Sequence, residues 1–167
     1  MKLSKNLATA FNQQVTAELE AAIVYRQIAY HLDALGLVGM RDWMYNQAAE
    51  EVEHAQLFSN HLLARGVTPT IETIAGPALE IGTAIDAFEA SLKHERYISD
   101  KIRNLAKMAQ EEGDFDSRPL LDRFLDEQIE EEATVSGILD RLRLIGEDGS
   151  GLLRIDAELG SRGKDHH

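Results

Sequence analysis

The sequence predicts an all-α fold: four long helices in a bundle, one long crossover between the second and third, and a short fifth helix near the C-terminus. Three observations carry this expectation. The three prolines, Pro69, Pro77 and Pro119, lie at or outside the ends of long stretches whose apolar residues recur every three or four positions. Glycines punctuate those stretches, with Gly36 and Gly39 after the first and Gly113 after the third. The segment from Gly66 to Gly82 holds two of the prolines and has no periodicity of its own, so the middle connection is long while the others are short.

The first helix is expected over about 4–34, with the stripe Leu7, Phe11, Val15, Glu18, Ala22, Tyr25, Ala29 and Leu32. The second, over about 40–65, carries Met44, Gln47, Glu51, His54 and Phe58. The third, over about 83–112, opens on Thr83 and Asp86, spaced as a capping box. Its stripe reads Ile85, Phe88, Leu92, Glu95, Ser99, Ile102 and Ala106. The fourth, over about 117–145, reads Leu121, Leu125, Gln128, Glu131, Val135, Ile138 and Leu142, and a short fifth follows at about 150–160. Short links make antiparallel hairpins of helices one and two and of helices three and four. The crossover of about 17 residues can stretch over about 55 Å, enough to pass a second helix about 39 Å long.

Composition narrows the function. The 167 residues hold 17 Lys+Arg against 29 Asp+Glu, and 17 − 29 gives a net charge of −12, which disfavours nucleic acid and anionic membrane surfaces as partners and favours cations. With no cysteine there is no thiolate metal site, iron–sulfur cluster or catalytic thiol, so metal chemistry must use oxygen and nitrogen ligands. The first residues lack the unbroken apolar run of a signal peptide or membrane span, and the cytoplasm is the expected location.

Every stripe is interrupted by an acid, and the interruptions fall at one level. The four expected helix midpoints lie within about three residues of Glu18, Glu51 and His54, Glu95, and Gln128 and Glu131, a spread of about 4.5 Å. Four carboxylates buried together cost roughly several kcal/mol each in desolvation unless protonated, paired or metal-bound. No Lys or Arg lies on the stripes beside them. Two divalent cations neutralise four carboxylates, and glutamate oxygens with one imidazole suit iron or manganese. Glu51-Val52-Glu53-His54 places a carboxylate and an imidazole on one helix face. Helix four offers Gln128-Ile129-Glu130-Glu131 with no histidine, so one metal has only oxygen-type ligands and is held more weakly. His61 is expected to be a core or interface histidine, and His31, His94, His166 and His167 to be surface or tail residues.

Nearly the whole chain resembles the bacterial non-haem ferritins. The resemblance rests on Asn12-Gln13-Gln14-Val15-Thr16-Ala17-Glu18-Leu19 with Tyr25, Glu50-Glu51-Val52-Glu53-His54, Lys93-His94-Glu95 and Glu127-Gln128-Ile129-Glu130-Glu131-Glu132, in that order. Gly149-Ser150-Gly151-Leu152 with Ile155 and Asp156 resembles the start of the family's fifth helix. The resemblance implies one ferritin-like domain over 1–167, with a tail from 161. It implies a ferroxidase: Glu18, Glu51 and His54 hold the first iron, and Glu51, Glu95, Gln128 and Glu131 the second, with Glu51 bridging. Tyr25 is then a hydrogen-bond donor and electron source beside the pair. Glu50, Glu127 and Glu130 match a third iron site towards the inner surface. The implied chemistry is oxidation of Fe²⁺ by O₂ or H₂O₂ and storage of a ferric oxide mineral within a homo-oligomeric shell of about 24 copies.

Related families fit less well. Haem-binding relatives carry a methionine where this chain has Val52, so no haem is expected. Rubrerythrins need cysteines, and Dps-like proteins build their site between subunits. Asp114, Asp116 and Asp122, with Arg118 among them, are candidates for an iron-admitting pore or simply exposed surface. Two other functions remain compatible: a di-metal oxygenase or peroxidase, which needs an apolar substrate cavity beside the metals, and a non-catalytic helical interaction protein, which needs no acid on any stripe.

Overall fold

The computed structural model describes residues 2–162. Helix α1 spans Lys5–Ala34, α2 Val38–Ala64, α3 Ala84–Glu112, α4 Arg118–Ile145 and α5 Gly149–Gly160, with a 3-10 turn, Phe115–Ser117, leading into α4. The helix ends follow local chemistry. Ser4 accepts from the Leu7 amide to start α1, and Thr83 and Asp86 form the expected capping box at α3. Gly36 and Gly66 take φ of 79° after α1 and α2, and each lets the next amide fold back on the helix just ended. α2 has no local side-chain cap. Asp156 of α5 supplies it, accepting from the Met40 amide at 2.8 Å and the Gly39 amide at 3.2 Å.

α1 packs along α2 and α3 along α4, α1 also lies against α3, and α5 docks mainly on α2. The crossover follows α1: Asn12 exchanges two hydrogen bonds with the Thr70 backbone, and the Glu72 amide donates to Thr16. Further on, Leu79 and Ile81 pack on the cluster that holds Ile28 and Leu32, at the other end of α1. The loop therefore runs the length of the bundle as expected.

The core is two apolar clusters. One, around Phe11, Phe58, Leu62, Ile102 and Phe124, fills one end; the other, around Ile28, Met40, Trp43, Phe88 and Leu139, fills the opposite end. Between them lie buried Glu18, Gln47, Glu51, His54, Ser91, Glu95, Ser99 and Gln128. Two stripes are rotated from expectation. On α3, Ala87, Ser91, Ile98 and Leu105 are buried while Ile85, Leu92 and Ala106 flank them, and on α4 Phe124 replaces Leu125 at the centre. Among the described residues no helix is long and apolar enough to cross a membrane.

Candidate metal centre

Four helices converge on the polar layer. Glu18 comes from α1, Glu51 and His54 from α2, Glu95 from α3, and Gln128 and Glu131 from α4; the first four and Gln128 are buried, and Glu131 is half-buried. Glu18, Glu51 and His54 each present one ligand atom within 4.8 Å of the others. His54 Nδ1 stands 3.3 Å from Glu51 Oε2 and 3.9 Å from Glu18 Oε2. The remaining oxygen of Glu18 accepts from Gln14 Nε2 at 3.0 Å.

The α3–α4 side is held by amides and hydroxyls. Tyr25, fully buried, donates its hydroxyl proton to Glu95 and accepts from Ser91 Oγ at 3.3 Å. Gln128 Nε2 donates to Glu95 Oε2 at 3.1 Å and to Ser99 Oγ at 2.9 Å. Gln47 donates to Glu131. These donors fix which carboxylate oxygens remain free.

Electrostatics mark the layer as incomplete without positive charge. Burial, then the neighbouring Glu51 carboxylate, raises Glu18 well above the ordinary glutamate range; burial also raises Glu51 and Glu95. Burial, with Glu95 and Glu50 nearby, pushes Glu131 up to about 7. Burial and the adjacent Glu95 carboxylate raise the Tyr25 phenol. Two buried oxygens, Glu18 Oε2 and Glu127 Oε2, have no hydrogen-bond donor. Carboxylates converging from every helix, with acceptor atoms left open and an imidazole among them, fit a hard or borderline divalent cation.

Several expectations require correction. Among the described residues the ligand atoms of Glu18, Glu51 and His54 form one close group, and neither Glu51 with Glu95 and Glu131 nor Glu50 with Glu127 and Glu130 forms another. Glu127 Oε2 approaches His54 Nε2 at 3.3 Å, an ion-pair distance without hydrogen-bond alignment; Glu50 accepts from Arg162 at 3.0 Å; Glu130 is exposed. An α4 residue on the stripe's flank reaches α2 through its side chain, at the level where Phe124 of α4 also packs on His54 and Phe58. His94 is not a surface residue: half-buried between Tyr25 and Tyr97, it is lowered to about 4 by burial, and its Nε2 has no partner. His31 is half-buried beside Gln27. His61 is, as expected, a packing histidine, tilted against Phe11 and 2.8 Å from Ser117 Oγ. Asp114 is buried rather than exposed: Arg65 Nη2 donates to it at 2.7 Å, and the Arg65 and Ser117 hydrogen bonds outweigh burial to hold it below the usual aspartate range. Asp116 and Asp122 are exposed. His166 and His167 lie outside the described residues. Reading stripes alone missed Gln14, which orients Glu18, and Arg162, which reaches the layer from beyond α5.

A bundle that gathers carboxylates from all four helices around one imidazole at mid-height has the architecture of the carboxylate bundles that hold paired metals. Residues 8–145 match the family model described as a ferritin-like domain, and the chain belongs to that family. It is 32% identical to the bacterial non-heme ferritin of Bacteroides fragilis (strain 638R), over 96% of this chain and 99% of the relative. It is 34% identical to a probable bacterial non-heme ferritin-like protein of Haemophilus influenzae, over 95% and 96% of the two chains. The structure of an open pore ferritin from Archaeoglobus fulgidus superposes with a TM-score of 0.93 at 35% identity, covering 95% of this chain and 98% of that one.

Proposed function

We propose that this protein is an iron-storing ferroxidase: it oxidises Fe²⁺ with O₂ or H₂O₂ at the mid-bundle centre and keeps the ferric product inside a shell of its own copies, about 24 in number. The observation that carries this reading is the belt of carboxylates from all four helices, in which Glu18 Oε2 and Glu127 Oε2 lack donors. Family membership and the non-heme ferritin relatives support it.

In this reading Glu18, Glu51 and His54 hold one Fe²⁺, and Glu51, Glu95, Gln128 and Glu131 the other, with Glu51 shared. Each Fe²⁺ gives up one electron, so two reduce one H₂O₂ with two protons to two waters. The protein's part is positional and electrostatic. Glu131, pushed up to about 7, is partly protonated near neutrality, so cation binding expels its proton. Tyr25 and Gln128 hold Glu95, Gln14 holds Glu18, and Gln47 holds Glu131, so the ligands meet the cation with little reorganisation. Glu50 and Glu130 are left as weaker, wetter carboxylates towards the inner face, while Glu127 acts at the edge of the buried pair.

An oxygenase needs a substrate cavity at the metals. The 350 Å³ cavity between α3 and α4 lies at the bundle end, lined by Ala109, Phe115, Leu121 and Leu125 among others, and touches no residue of the centre. The deciding experiment is size-exclusion chromatography after aerobic incubation with Fe²⁺. A very large particle that co-elutes with an iron core is expected; a small, colourless oligomer refutes storage.

A further inference from the structure

Arg123 of α4 reaches the edge of the carboxylate layer, 3.4 Å from Glu127, and a second arginine reaches the layer from outside the four helices. Arg162, two residues after α5, lies along α2 with its guanidinium carbon 4.7 Å from the centre of the Trp43 ring. Its Nη2 donates to Glu50 Oε1 at 3.0 Å and its Nη1 to Gln47 Oε1 at 2.9 Å. Gln47 is fully buried and donates its own amide protons to Glu131. The path from the C-terminal segment to the centre is thus two hydrogen bonds long.

The position is built. α5 is tied to the start of α2 by the Asp156 cap, and Gly160 packs on Gly39 so closely that a Cβ on Gly160 would stand 2.8 Å from the Gly39 Cα. The chain therefore leaves α5 beside α2, and the Trp43 face fixes the arginine stem. A planar guanidinium suits this place: one edge can serve an amide oxygen and a carboxylate at once, which an ammonium at the same point cannot do in the same plane. Because the Gln47 oxygen is taken by Arg162, its NH₂ must turn the other way, towards Glu131.

We propose that Arg162 is a positioning residue for the centre: its guanidinium occupies Glu50, so a cation must displace it there, and it sets the Gln47 amide that holds Glu131. The arginine thereby keeps Glu50 from taking up a cation as readily as an unpaired carboxylate does, and confines tight binding to the buried pair. The inference rests on the proposed function, since it assigns a control to that centre.

The test is titration calorimetry of the assembled protein with Zn²⁺, which is redox-inert, on wild type, Arg162→Ala and Arg162→Gln, each with Glu50 intact and with Glu50→Gln. Arg162→Gln retains part of the stem on Trp43 and guards against a loss of α5 docking in Arg162→Ala; melting temperature monitors this. A half-buried ion pair of this kind weakens a competing cation by a few-fold, so the weaker class of Zn²⁺ sites should tighten about three- to fivefold when Arg162 is replaced. The tightening should vanish with Glu50→Gln, and Zn²⁺-soaked crystals of Arg162→Ala should show the added ion on Glu50. Identical isotherms in wild type and both Arg162 variants, equal tightening without the Glu50 carboxylate, or an added ion elsewhere overturns the proposal. Wild-type protein that takes up no Zn²⁺ overturns the proposed function with it, whereas wild type with a filled buried pair and unresponsive weaker sites overturns the role of Arg162 alone.

Discussion

His54 Nε2 and Glu127 Oε2 stand 3.3 Å apart, joining α2 to α4 across the edge of the carboxylate layer. With Nδ1 facing Glu51 and Glu18, the imidazole has acids along both edges. When Nδ1, which faces Glu51 and Glu18, binds a cation, the ring proton is on Nε2 and faces Glu127, which can then orient the imidazole.

Glu127→Gln should therefore weaken Zn²⁺ binding at the buried pair itself, by about 10-fold, the size expected for a group that orients a ligand. Glu130→Gln should change it little. Equal, negligible effects from both would return Glu127 to the solvated flank.

Glu51→Ala or His54→Ala should slow the initial rate of Fe²⁺ oxidation at least about 100-fold while leaving the particle size unchanged, because each removes a buried donor group without touching the exterior. Stopped-flow absorbance and size-exclusion chromatography check both halves. Wild-type rates in either variant refute the assignment.

Cation-free protein should lose stability as pH rises from 4.5 to about 7, the interval between the ordinary and the raised Glu131 values. A carboxylate raised on folding binds its proton more tightly folded than unfolded, so folding takes up protons and is favoured at the acid end. Glu18, Glu51 and Glu95 act in the same sense. Asp114, held below its ordinary 3.8, acts oppositely and only at lower pH. A fall in melting temperature on the order of 5 °C across the interval is expected, abolished by saturating Zn²⁺. A rise with pH contradicts the buried-acid account.

Gly39→Ala should lower the melting temperature by about 3 to 10 °C, because its Cβ would lie 1.9 Å from the Asp156 backbone oxygen and α5 must shift. An unchanged melting curve would show that α5 docks elsewhere.

Protein incubated with haem should show no stoichiometric haem absorbance. Val52, exposed on α2 at the place where haem-binding relatives carry methionine, has no sulfur to coordinate iron.

The helices and the polar layer were legible because both rest on period and length. Glu18, Glu51, His54, Glu95 and Gln128 interrupt apolar stripes at one height, and the structure brings them together. What was not legible depends on neighbours far away in sequence. On α3 the expected stripe holds at Phe88, Glu95, Ser99 and Ile102, but the buried face also takes in Ala87, Ser91, Ile98 and Leu105 and leaves Ile85 and Leu92 on its flank. His94 looks solvated until Tyr25 and Tyr97 are placed on either side of it. Asp114 reads as an acid in a turn until Arg65, from the end of α2, meets it. Arg162 carries no periodic signal at all, since its place is set by where α5 docks.

The Asp156 cap has a consequence for how the chain is made. Synthesis delivers the start of α2 long before the aspartate that caps it, so the Gly39 and Met40 amides await a partner until the last helix has emerged. The first hairpin can form early from its own local contacts, but that end of α2 is completed last. A chain ending before α5 lacks both the cap and the face that covers Gly39, so the C-terminal helix acts as the closing clasp of the first half of the bundle.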